Sequence, residues 1–326
     1  MVAREKELRR LFTKIAIAML FLVLFSNIYS ISCFVLELIL LQFPRVVWLE
    51  CLADIICSLI YFACFLLPAW IFYRISRGEP SEAVSFHGEL PSRHSFFKIV
   101  AIVFISVGTI TAMSYLNSWF LPFVSYTGGG VDLSKPYKVV LLVFSSAVIP
   151  AFSEELLFRG VILSNLKPYG KGMAVVVSAL LFGLMHMNVF QFMYATAAGI
   201  VLGLVYVKIN SLWLCILIHF CNNLFSVLVN YMYEIFREET AGKVCMLAEL
   251  VIFFVGILAA LIYVLRKKEQ SAKDTIGVFG KTKSLSFDAA MDGKRVLKQF
   301  LCPLMIVYIV AAVVNMIYVL VYNLTR

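Results

Sequence analysis

The chain has 326 residues, of which 62% are hydrophobic and 14% charged, and its formal net charge is +9. A soluble globular domain is about 45–50% apolar and about 25% charged, so this composition excludes one. The basic excess is the kind carried by cytoplasmic loops of membrane proteins, and no nucleic-acid partner is expected. Several apolar stretches exceed the roughly 18 residues that a spanning helix needs. The fold class expected is all-α: a polytopic membrane helix bundle of about nine transmembrane helices in a lipid bilayer.

The N-terminus, "MVAREKELRRLFTK", is basic like the n-region of a signal peptide. The apolar segment behind it, residues 15–36, is too long for an h-region and lacks an A-x-A-like cleavage site, so it reads as a retained first span. Spans are predicted near 15–41, 51–73, 96–119, 137–163, 173–189, 191–207, 211–232, 245–265 and 300–323. The first runs past the minimum length and includes Glu37. The fifth and sixth are short and almost contiguous, which suggests a tilted or partly re-entrant pair.

Orientation follows from the basic residues. With the N-terminus cytoplasmic, the inner segments 1–14, 74–98, 164–172, Lys208 and 266–298 hold most of the 28 Lys and Arg. The outer side holds Arg45, Lys135, Lys138, Arg237, Lys243 and Arg326, and Arg159 stays at membrane depth. "SYTGGGVDLSKP", residues 125–136, reads as a flexible Gly-rich outer loop. Residues 266–295 form a basic inner loop that sets the last span apart. The chain divides into a three-helix region at 1–136, core helices at 137–232, and C-terminal spans at 245–326 with the basic loop at 266–299. No internal repeat stands out. The 8 cysteines lie mostly in or beside apolar runs without C-x-x-C or zinc-type spacing, and they read as small buried hydrophobes.

The fourth span raises the question of function. "PAFSEELLFRG", residues 150–160, puts Glu154, Glu155 and Arg159 in an apolar run. Facing lipid, three such groups would cost roughly 8–10 kcal/mol. Glu155 and Arg159, four apart, share a helix face. Glu154 is turned about 100° from Glu155 and points elsewhere. One carboxylate is therefore neutralised while the other stays available. Pro150, one turn upstream, leaves the carbonyl of Ser146 without its helical donor.

The chain has only 4 histidines, and two of them fall in predicted spans. His186 ends "FGLMH", which begins at Phe182, and His219 opens "HFCNN", which puts Asn223 one turn later on the same face. Intramembrane ionisable residues are functional candidates by default. Ala195, Gly199 and Gly203, spaced by four, let neighbouring backbones approach closely, a packing device. A glutamate can act as general base towards water, a histidine can share that water, and imidazole or amide N–H groups can hold a developing oxyanion. Two His and a Glu can also ligate zinc. Without H-E-x-x-H and with candidates on three helices, local spacing does not decide for a metal.

In order, E-E-x-x-x-R (Glu154, Glu155, Arg159), F-x-x-x-H (Phe182, His186) and H-x-x-x-N (His219, Asn223) resemble the CPBP intramembrane proteases. That family includes the CAAX prenyl endoproteases and the Abi bacteriocin-processing or self-immunity proteins. The resemblance covers about residues 150–223. It implies hydrolysis of a peptide bond in a membrane-associated peptide or protein, with Glu154 as general base and His186 positioning the water. His219 and Asn223 would form the oxyanion site, and Glu155, Arg159 and Phe182 would support these groups. No cofactor or metal is expected; zinc held by Glu154, His186 and His219 is the alternative. Two other readings are a non-catalytic partner-binding or immunity protein of the same fold and a proton-coupled transporter. The location implied is an integral, multi-pass protein, placed in the plasma membrane of a bacterium.

Overall fold

The computed structural model describes residues 2–43, 46–76, 96–120, 136–236, 238–274 and 293–324. The Gly-rich segment 125–135, most of the basic inner loop and several cations of the charge argument lie outside these residues. Every described element is helical. In chain order they are α1 Val2–Gln42, α2 Val47–Ile75, α3 Phe96–Phe120, α4 Pro136–Tyr169, α5 Lys171–Met185, α6 Val189–Ile209, α7 Leu212–Ile235, α8 Glu238–Asp274, α9 Gly293–Phe300 and α10 Pro303–Leu324. Eight of them are long and apolar enough to cross a membrane, and α5 is apolar but shorter. Many large apolar side chains on these helices face outward, among them Leu41, Trp48, Phe254 and Tyr318. In water so much exposed apolar surface would be unstable; in lipid it is the ordinary exterior. The protein is an integral, multi-pass membrane protein.

The first span begins well before residue 15. In α1 the basic N-terminus is already helical, and Leu8, Phe12, Ile15 and Met19 are fully buried along one face. Their spacing of three and four keeps that stripe continuous past the predicted membrane edge. Phe12 meets Phe300 of α9 edge-on at 5.3 Å, and Arg4 donates to the carbonyl of Pro168 at 2.8 Å. The N-terminal basic stretch is thus packed helix.

A disulfide joins Cys33 of α1 to Cys57 of α2, with Cα atoms 5.9 Å apart. This corrects the reading of all the cysteines as small buried hydrophobes. The pair comes from two helices, 24 residues apart, so no local spacing could show it. Cys64, Cys215, Cys245 and Cys302 do fit the simpler reading, being buried thiols.

The helix α4 is continuous but not uniform. Phe144–Val148 and Leu156–Leu163 are π-helical, on either side of the α-helical Ile149–Glu155. Pro150 offers no N–H to close an α-turn on Ser146, and the wider winding accommodates that gap. Such π stretches frequently mark functional positions in helices.

Next come α5 and α6, an antiparallel hairpin. At 15 residues, α5 reaches about 22 Å, against a hydrocarbon core of about 30 Å. Its end therefore stops within membrane depth. The turn uses Met187 in left-handed geometry (φ 49°), and the side chain of Asn188 accepts the N–H of Phe190 at 2.9 Å to cap α6. Small residues set the hairpin's close approach: a Cβ on Gly199 would lie 2.8 Å from the Cα of Ala179. Ser211 caps α7 in the same manner as Asn188, accepting from Leu214.

Candidate active site

One carboxylate of α4 is consumed by a buried network. Arg159 Nη1 donates to Glu155 Oε1 at 2.7 Å, both side chains having no exposure. The second arm of the guanidinium, Nη2, donates to the carbonyl of Gly199 at 3.2 Å. Its face lies 4.7 Å from the centroid of the Phe182 ring. The glycine stripe of α6 therefore does more than pack: a bulkier residue there would push that carbonyl away from Arg159. The same Glu155 Oε1 accepts from His219 Nδ1 at 2.9 Å. Partners from three helices thus surround this deep charge pair, although Glu155 Oε2 and Arg159 Nε are buried without a hydrogen-bond partner.

The other carboxylate faces a cavity. Glu154 is 3% exposed and does not touch Arg159; its Oε1 accepts from the Tyr61 hydroxyl of α2 at 2.6 Å. Its Oε2 lies 3.9 Å from His219 Nε2, too far for a direct hydrogen bond. His219 thus stands between the two glutamates. Glu155 fixes its Nδ1, and the ring then presents Nε2 towards Glu154.

The second histidine is held by backbone. His186 is the residue that ends α5, not one within a span as the 173–189 boundary implied, because the chain turns at Met187. Its Nδ1 sits 2.9 Å from the carbonyl of Phe182 and can only donate to it, which leaves Nε2 as the acceptor. Phe182 packs edge-on between the two imidazoles, 5.3 Å from His186 and 5.9 Å from His219, and edge-on against Phe158. The F-x-x-x-H spacing therefore has two purposes: the Phe carbonyl sets the tautomer and the Phe ring separates the histidines.

Asn223, one turn after His219, donates through Nδ2 to the carbonyl of Ser146 at 3.1 Å. This is the carbonyl that Pro150 deprives of a donor. One of the two amide hydrogens of Asn223 is thereby committed to the backbone of α4, and the other remains for a ligand. Asn222 donates to Asn223 Oδ1 at 3.3 Å and orients the amide.

Glu154, His186, His219 and Asn223 all line one cavity of about 720 Å³. Glu37, Asp54 and Tyr61 line it too, from α1 and α2, and Ser146 from α4. Sequence reasoning did not reach Tyr61 or Asp54: they lie outside the three motifs, and nothing local distinguishes them from other polar residues in spans. Asn222 was visible in "HFCNN", three residues after His219 and near the same helix face, but the H-x-x-x-N spacing passes over it. Among the described residues no three His, Cys, Asp or Glu side chains come together as a metal-binding group.

Residues 136–225 match the family described as type II CAAX prenyl endopeptidase, Rce1-like. No curated protein matches the chain. No solved structure does either. The matched residues run from the start of α4 past Asn223 and contain the two glutamates, the arginine, both histidines and the asparagine. Over these helices the chain is similar to that family of endopeptidases, and the matched stretch holds the three motifs.

Proposed function

We propose that this protein is an endopeptidase that cleaves a membrane-associated peptide or protein with a water molecule activated by Glu154. The observation that carries this reading is the division between the glutamates: Glu155 is tied to Arg159 and His219, while Glu154 faces the cavity outside the arginine pair, with Oε2 3.9 Å from His219 Nε2. A buried carboxylate beside two imidazoles has the means to take a proton from water.

In the proposed reaction, water oxygen attacks the scissile carbonyl carbon as its proton passes to Glu154, with His186 Nε2 accepting from the same water. The tetrahedral oxyanion is held by the free amide hydrogen of Asn223 and by the imidazole of His219. Glu154 then delivers its proton to the departing nitrogen. The C–N bond breaks, and a carboxyl and an amine leave. No covalent enzyme intermediate and no metal enter. The basic residue asymmetry supports a cytoplasmic N-terminus.

The test uses full-length protein in phospholipid nanodiscs with a pooled peptide library, each peptide with and without an S-farnesyl cysteine. New termini read by mass spectrometry from the wild type, and none from Glu154→Gln, are the expected result. Cleavage by both proteins, or by neither, overturns the reading. The two peptide arms also show whether a prenyl group is needed.

A further inference from the structure

Tyr61 lies on α2, far in sequence from the residues of the family match, yet its hydroxyl touches the glutamate at the centre of the cavity. The contact is short, 2.6 Å, as expected for O–H donating to a carboxylate. The ring does not depend on that contact for its place. It packs edge-on against Tyr29 of α1 at 5.4 Å and against Phe65 at 5.1 Å. One helical turn away from Tyr29 and Tyr61 on their own helices lie Cys33 and Cys57, and their disulfide fastens the α1–α2 seam. Aromatic packing and a covalent tie thus hold the phenol before the hydroxyl meets Glu154.

A glutamate side chain has three rotatable bonds and two equivalent oxygens. If only burial constrained Glu154, either oxygen could face the histidines. With Oε1 accepting from Tyr61, Oε2 is the oxygen turned to His219 Nε2. We infer that Tyr61 is a positioning residue for peptide-bond hydrolysis: it anchors one oxygen of Glu154 so that the other faces the attacking water. This inference rests on the function proposed above for Glu154. It also makes the α1–α2 pair a working part of the site instead of a lipid-facing appendage. A half-buried tyrosine that merely sought an acceptor would satisfy itself equally well on a backbone carbonyl. Here it is aimed at Glu154, the member of the adjacent glutamate pair that does not bond Arg159.

The experiment compares the wild type, Tyr61→Phe and Glu154→Gln in nanodiscs against the peptide that the library assay shows to be cleaved fastest. Losing the hydroxyl removes no ring contact, so the melting temperature should stay close to the wild type's. The expected result is a fall in kcat of about 10- to 100-fold, the range set by a hydrogen bond to a charged group, with KM nearly unchanged. Incorporating 3-fluorotyrosine at position 61 restores a hydroxyl and should restore kcat. It also supplies a readout independent of turnover: its ¹⁹F resonance should move when Glu154→Gln is added, since the acceptor is then an amide. Wild-type kcat and KM in Tyr61→Phe beside an inactive Glu154→Gln overturns the inference and leaves the function standing. A ¹⁹F resonance that ignores Glu154→Gln overturns it as well. Full activity in Glu154→Gln instead overturns the function itself.

Discussion

Two regions meet at the middle of α4, a sealed ion-pair knot and an open polar cavity, and adjacent glutamates serve one each. In the knot, Glu155, Arg159, the carbonyl of Gly199 and Nδ1 of His219 are joined by three hydrogen bonds with no exposure at the pair. In the cavity, Glu154 Oε2, His186 Nε2 and His219 Nε2 are oriented without being used up. His219 belongs to both, one nitrogen on each side. The knot ties three helices together; the cavity is where the proposed reaction would exchange protons with a substrate. Removing a group from the first should cost the fold, and removing one from the second should cost the chemistry.

The sharpest contrast is between the neighbours themselves. Glu154→Gln is nearly isosteric and should leave the melting temperature where it is, while hydrolysis falls by about 10²–10⁴-fold or to background. Glu155→Ala strands Arg159 and frees His219, so it should lose about 3–5 kcal/mol of stability, read as a lower thermal midpoint in detergent, and activity with it. Equal thermal shifts for the two variants would erase the distinction.

Asn223 sits on the boundary, and its substitution should show both effects. In Asn223→Ala the oxyanion loses a donor, worth about 10²–10³-fold in kcat. The carbonyl of Ser146 also loses its partner, worth about 1–3 kcal/mol of stability. A rate loss without a thermal shift would place Asn223 wholly in the cavity.

A smaller effect is expected from the knot's outer edge. Gly199→Ala puts a Cβ 2.8 Å from the Cα of Ala179, so α5 and α6 must separate and the carbonyl that holds Arg159 moves. Such overpacking costs about 1–3 kcal/mol. The thermal midpoint should fall by less than in Glu155→Ala, and an unchanged midpoint would show that the hairpin relaxes freely. The smallest effect is none at all: exhaustive chelation should leave the cleavage rate unaltered. Stoichiometric zinc by elemental analysis, with activity lost on chelation and restored by Zn²⁺ alone, would make the cavity a metal centre of Glu154, His186 and His219.

Much of this was already settled by the chain's local chemistry. Hydrophobic runs long enough for a bilayer leave an all-α bundle as the solution, because backbone groups in lipid must be satisfied within the segment. The four-residue spacings 155/159, 182/186 and 219/223 place partners one helical turn apart, so the Glu155–Arg159 pair and the Phe182–His186 contact follow from helix geometry alone. Pro150 likewise announced an orphan carbonyl at Ser146. What the chain could not announce was who would answer it, since Asn223 lies 77 residues further on. Nor could it show that His219 would reach back 64 residues to Glu155, or Tyr61 forward 93 to Glu154. The Cys33–Cys57 bond and the early turn after His186 belong to the same class. Periodicity fixes which residues share a face of one helix, whereas the partner across a helix–helix contact depends on rotation, depth and crossing of both helices. Those are set by packing of small residues such as Gly199 against Ala179, and only the folded bundle decides them.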